Sequence, residues 1–189
     1  MRNLLSALTA VALVVTSAGV AGADDDPGAQ GVAVTLARFE TPDVATKAFT
    51  YDTALVEPGS AVLVVGTPVR RKSTKVLLSV HGLVPDRTYG AHAHQRPCGA
   101  LPTDAGAHHQ HEVDPKQPSV DPAYANPTNE IWLDFTTDHR GRAVVTTSVP
   151  WQFADRRAGS VVIHAQKTSS EPGSAGTAGP RLACATVKF

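Results

Sequence analysis

From Gly31 to the C-terminus the chain is broken into short runs rich in Val, Thr, Ile and Phe, and no stretch sustains an apolar repeat of 3.6 residues. That feature excludes a helical bundle and an alternating helix–strand fold. The runs cover Val32–Arg38, Lys47–Leu55, Ser60–Thr67, Lys75–Leu83, Tyr89–His94, Ile131–Thr137, Ala143–Val149, Ser160–Ala165 and Leu182–Val187. Fourteen prolines and fifteen glycines punctuate the chain, and Asp138–Gly141 has the composition of a hairpin turn. The pattern predicts one all-β domain over residues 31–189, an antiparallel sandwich or small barrel. Two connections, Gln95–Asn129 and Gln166–Pro180, are too long for hairpins, and such loops in a compact domain are usually functional or disordered. The first carries histidines and a cysteine, so it is expected to be ordered around a site.

Arg2, the apolar stretch Leu4–Val15 and the small residues Ala21-Gly22-Ala23 together have the form of a cleavable export signal. The apolar stretch is too short for a membrane span. Residues 1–23 are therefore expected to be removed after Ala23, and residues 24–30 (DDDPGAQ) to form a disordered lead-in. The mature protein is expected to be secreted or held in the periplasm or cell envelope, as a monomer without a membrane span. Of 17 basic residues the leader contains only Arg2, which leaves 16 against 17 acidic ones. That balance offers no footprint for a nucleic acid, and Arg70-Arg71-Lys72 reads as a solvated hairpin tip. Cys98 and Cys184 are the two cysteines, and an even count in an exported chain favours a disulfide. It would close a loop of 87 residues, a constraint of about 4–5 kcal/mol in the chain-entropy model.

His92 and His94 flank Ala93 in an extended run. In a strand, residues i and i+2 share a face about 7 Å apart, so the pair can offer two neutral imidazoles to one metal ion while Ala91 and Ala93 face the other way. A third ligand from His108 or His109, and a fourth from His164, would complete a four-nitrogen site. Four imidazoles in a flattened arrangement suit copper(II), which prefers tetragonal geometry. Gly90 leaves space beside the site for another backbone or a ligand. His81 and His139 have no partner spacing and read as surface residues, and Trp132, Trp151 and Phe153 read as packing.

Several motifs then resemble the copper/zinc superoxide dismutase family, over about Val62 to Val187. Tyr89-Gly90-Ala91-His92-Ala93-His94 is similar to the family strand that supplies two copper ligands, and Gly106-Ala107-His108 to the loop whose histidine bridges copper and zinc. Ser160-Val161-Val162-Ile163-His164 resembles the strand with the last copper ligand. Gly176–Cys184 resembles the terminal signature, in which an arginine, here Arg181, guides the anion and a cysteine pairs with one in the first loop, here Cys98. The resemblance implies an antiparallel Greek-key β-sandwich or flattened barrel of immunoglobulin-like architecture with two long functional loops. It also implies copper held by His92, His94, His108 and His164, and superoxide as substrate.

The chain departs from that pattern where zinc-binding members carry further ligands, because Glu112–Ile131 contains no histidine. Asp114 and Asp121 precede prolines and read as turn caps, which leaves His109, His111 and Asp114 as the one nearby set for an improvised zinc site. The segment Thr168–Pro180 holds a single acid, Glu171. The likeness is therefore to a copper-only branch with zinc absent. Without zinc, a protein hydrogen bond must hold the His108 ring, and Glu130 and Asp134 are the candidates. The expected function is an exported, copper-dependent superoxide dismutase, with an inactive copper-buffering protein as the alternative. Arg181 favours the enzyme, since a metal store needs no anion guide.

Overall fold

In a computed structural model the described residues are 31–69 and 72–189. The expected leader and lead-in, and Arg70 and Arg71 of the basic run, lie outside them. Nine strands form among the described residues: Ala33–Arg38 (β1), Ala48–Thr50 (β2), Val56–Val69 (β3), Ser73–Leu83 (β4), Thr88–His94 (β5), Phe135–Thr136 (β6), Arg142–Val149 (β7), Ser160–His164 (β8) and Arg181–Thr186 (β9). They make a four-stranded sheet in the order β1-β3-β4-β7 and a five-stranded sheet in the order β2-β9-β8-β5-β6. Every ladder is antiparallel, so the all-β sandwich expected from the sequence is present.

Alternation explains which sheet does what. In β4, Thr74, Val76, Leu78 and Val80 are buried while Lys75 and His81 are exposed, the signature of a sheet with one face in the core and one in water. In β5 and β8 all but the first residue of β5 is buried. Their Tyr89, Ala91, Ala93, Val161 and Ile163 pack in the core between the sheets. The remaining buried residues, including His92, His94 and His164, face the opposite way, where Thr168, Gly106 and Gly179 of the two long loops bond to the three rings. The site is therefore built on the outer face of the five-stranded sheet, under a roof of loop.

Two expected runs are much shorter as strands. Lys47–Leu55 pairs only over Ala48–Thr50 because Asp52 Oδ1 accepts the N–H groups of Ala54 and Leu55, which turns the chain. Ile131–Thr137 pairs regularly only at β6. Upstream of it the Ala91 N–H goes to the Asp134 carboxylate rather than to a backbone carbonyl, and the contact with β5 is reduced to a bridge between His92 and Trp132. The loops are ordered by their own polar residues. Asp114 accepts from Lys116 N–H and the Ser119 hydroxyl, and Asp121 accepts from Ala123 N–H, so both cap turns. Cys98 and Cys184 are disulfide-bonded, with Cα atoms 5.7 Å apart, which ties the first loop to β9. Among the described residues no helix is long and apolar enough to cross a membrane.

Candidate metal centre

His92 and His94 leave β5 on one face, and His164 stands on the neighbouring β8, where Gly90 pairs with His164. Gly90 is needed there: a Cβ would meet the Gln166 carbonyl at 2.5 Å and Ala178 Cβ at 2.7 Å. His108 arrives from the loop, which the bonds His109 N–H to Ala93 O (2.8 Å) and Gln95 N–H to Ala107 O (3.0 Å) hold against the end of β5. One potential donor atom from each of the four histidines lies within 4.8 Å of the other three. Around the ring His92–His108–His94–His164, the imidazole centroids are 4.1, 4.8, 5.5 and 4.9 Å apart. Across it, His92–His94 and His108–His164 are 6.4 and 6.0 Å apart. A tetrahedral set would make all six separations alike; here both diagonals exceed every side, so the four rings form a flattened quadrilateral.

Hydrogen-bond direction fixes which nitrogen each ring presents. His94 Nδ1–H donates to Gly106 O at 3.0 Å, His164 Nδ1–H to Gly179 O at 3.2 Å, and His108 Nδ1–H to Glu130 Oε2 at 2.8 Å. Their Nε2 lone pairs are left free, and those of His94 and His164 approach to 3.4 Å. His92 is the reverse: its Nε2 is bonded to Thr168 Oγ1 at 2.7 Å, while its buried Nδ1 has no partner. An unpartnered polar atom so deep in a protein is uncommon, and this one completes the donor set. Burial, followed by the neighbouring rings, holds His92 and His94 well below the usual imidazole range, and burial pushes His164 down to about 3. All three are neutral at pH 7, as metal ligation requires.

Among the solved structures, Cu/Zn superoxide dismutase from Brucella abortus aligns with a TM-score of 0.54 at 18% identity, covering 82% of this chain and 99% of that one. A double mutant of a SOD-like protein from Bacillus subtilis aligns with a TM-score of 0.54 at 15% identity, covering 82% and 95%. The fold is that of the Cu/Zn superoxide dismutases. No family model matches the sequence, and no curated protein matches it.

Within this superoxide-dismutase fold the other expected residues take distinct places. Glu130, only 1% exposed, holds the His108 ring and is itself held by Trp132 Nε1–H at 2.7 Å and Gln110 Nε2–H at 2.8 Å. Asp134 does not reach His108; it lies on the His92 side, accepting the Thr168 hydroxyl and N–H at 2.6 and 2.8 Å. Arg181 is half-buried on β9 opposite His164 and donates to Pro102 O (2.8 Å) and Gly106 O (2.7 Å). With His108, His164 and Glu130 it lines a pocket of 530 Å³. The Gly106 carbonyl therefore serves Arg181 and His94 together, from a backbone at φ 75°, ψ −159° that only glycine adopts readily.

His109 and His111 do not join the cluster. His109 packs on Phe153 with centroids 5.0 Å apart, and His111 stacks on Trp151 at 5.0 Å. Asp114 is spent on its turn. Three contributors escaped the sequence reading. Thr168 is one hydroxyl in a loop of small residues, Gln110 sits between two more conspicuous histidines, and Trp132 was read as packing alone. No spacing signal marks Thr168 or Gln110.

Proposed function

We propose that the cluster of His92, His94, His108 and His164 holds copper and that the protein is an extracytoplasmic superoxide dismutase working with copper alone. The observation that carries this reading is the flattened quadrilateral of four imidazole rings, completed by the unpartnered His92 Nδ1. Tetragonal nitrogen sets favour copper(II), whereas zinc favours tetrahedral ones. Copper, which changes oxidation state where zinc cannot, would supply the electron exchange that converts superoxide to oxygen and hydrogen peroxide. The residues around it do the rest. Arg181 places a positive charge at the mouth of the pocket, where it attracts a small anion. Glu130 fixes the proton on His108 Nδ1 and so aims Nε2 into the cluster, the task a zinc ion performs in the two-metal enzymes. Besides its bonds to the loop carbonyls, Arg181 lines the pocket with His108 and His164, as an anion guide would, which favours the enzyme over a buffering protein. The disulfide agrees with an oxidising compartment, and the Arg2–Ala23 segment supplies the export signal.

The test is reconstitution of the metal-free protein with copper alone and with copper plus zinc. Turnover with copper alone, at about one equivalent and with no gain from zinc, is expected. A large stoichiometric gain on adding zinc would overturn the copper-only assignment. Replacement of His94 by Ala should abolish or reshape the copper(II) spin-resonance signal, and an unchanged spectrum would remove His94 from the ligand set.

A further inference from the structure

His92 is the one ring of the four that turns its Nδ1 inward, and a chain of hydrogen bonds explains why. Asp134 lies 4.0 Å from His92 Nε2, too far for a direct hydrogen bond. Thr168 stands between them, 7% exposed, with its hydroxyl 2.7 Å from His92 Nε2 and 2.6 Å from Asp134 Oδ1. An ionised carboxylate only accepts. The single hydroxyl proton of Thr168 must therefore go to Asp134, and the Thr168 oxygen is left to accept. His92 must then carry its proton on Nε2, which leaves the lone pair on Nδ1, the buried atom with no partner. Asp134 is immobilised for this task by Ala91 N–H at 3.2 Å and Thr168 N–H at 2.8 Å.

We infer that Thr168 is a positioning residue that locks the His92 tautomer, relaying the charge of Asp134 to His92 and thereby tying the Gln166–Pro180 loop to the metal ligands. The loop touches the cluster a second time where Gly179 O accepts from His164 Nδ1–H. Loop order and ligand orientation are thus set together. The consequence for copper affinity rests on the function proposed above; the tautomer itself does not.

Nitrogen-15 NMR of the metal-free mature protein, with labelled histidine, reads the tautomer directly. His92 is expected as a single Nε2–H form. Thr168→Val keeps the shape and the N–H bond to Asp134 but removes the hydroxyl. It should give a mixed or inverted tautomer and weaken copper binding by about 10- to 100-fold in a competition titration, the usual effect of losing a partner behind a ligand. Thr168→Ser should restore both. In Asp134→Asn a donor replaces one acceptor, and the tautomer should again be disturbed. A wild-type His92 protonated on Nδ1, or a Thr168→Val variant with unchanged tautomer and copper affinity, overturns the inference. The wild-type measurement decides even where a variant fails to fold. Wild-type protein with the expected tautomer but no affinity for copper would sink the proposed function and leave this inference standing.

Discussion

Glu130 gathers three donors, His108 Nδ1–H, Trp132 Nε1–H and Gln110 Nε2–H, onto one buried carboxylate. Gln110 cannot rotate freely to suit a replacement, because its Oε1 already accepts from Asp114 N–H at 3.0 Å. Glu130→Gln therefore sets a donor against a donor and should destabilise the fold by about 1–3 kcal/mol, read as a lower urea midpoint, with an altered copper(II) spectrum because His108 loses its anchor. Arg181→Gln is expected to lower kcat/KM by about one to two decades and to flatten its dependence on ionic strength, as removal of a steering charge does. A variant with full activity and an unchanged salt response would exclude the anion-guiding role. At this scale the sequence was only partly legible. His92 and His94 declare themselves because a strand repeats every two residues. The sequence offers Glu130 and Asp134 alike as candidates for the His108 ring, yet four residues of extended chain span about 13 Å. One carboxylate consequently serves His108 and the other serves His92.

Individual elements were easiest to read where burial on one face forces alternation, as in β4 and β7, and hardest where a side chain takes over a backbone bond. Asp52 ends β2 early, and Asp134 interrupts the ladder beside β5, each by accepting an N–H that a strand would have given to a carbonyl. Neither interruption alters the hydrophobic pattern, so neither could be seen in it. The loops depend on a few attachments. The disulfide holds Cys98 to β9, and Cys98 N–H also donates to Thr186 Oγ1 at 3.1 Å. Replacing both cysteines by Ala should remove about 2–5 kcal/mol of stability, measured by denaturant unfolding. It should also weaken metal binding, because the Gly106 carbonyl that orients His94 lies in the freed loop. Gly90→Ala would push a methyl group into the Gln166 carbonyl, so it is expected to lift the second loop and expose His164 to exchange and to solvent. Unaltered protection of the 166–180 amides in hydrogen exchange would contradict this.

The whole molecule stores neutral histidines in its interior, and that makes its stability depend on pH in a definite direction. Burial holds His109 down to about 4 and His164 to about 3, with His92 and His94 also well below the usual range. The unfolded chain takes up these protons near pH 6.5. Below that pH it binds more protons than the native state, so the metal-free protein is most stable above about pH 6.5 and loses stability as pH falls toward 4. Each such histidine contributes a slope of up to about 1.4 kcal/mol per pH unit. Urea midpoints at pH 7.5 and pH 5 should show the drop, and equal midpoints would mean that these rings are not buried in neutral form. The two sheets meanwhile divide the labour unequally. Every clustered histidine, and Arg181, stands on or against the five-stranded sheet, whereas the outer face of the four-stranded sheet carries Leu36 and Val144 at 71% and 70% exposure and no member of the cluster. For an engineer this is a molecule with a working side and a handling side. A fusion, a glycan or a bond to a solid support placed on the β1–β7 face would leave the pocket turned toward solvent and its chemistry undisturbed.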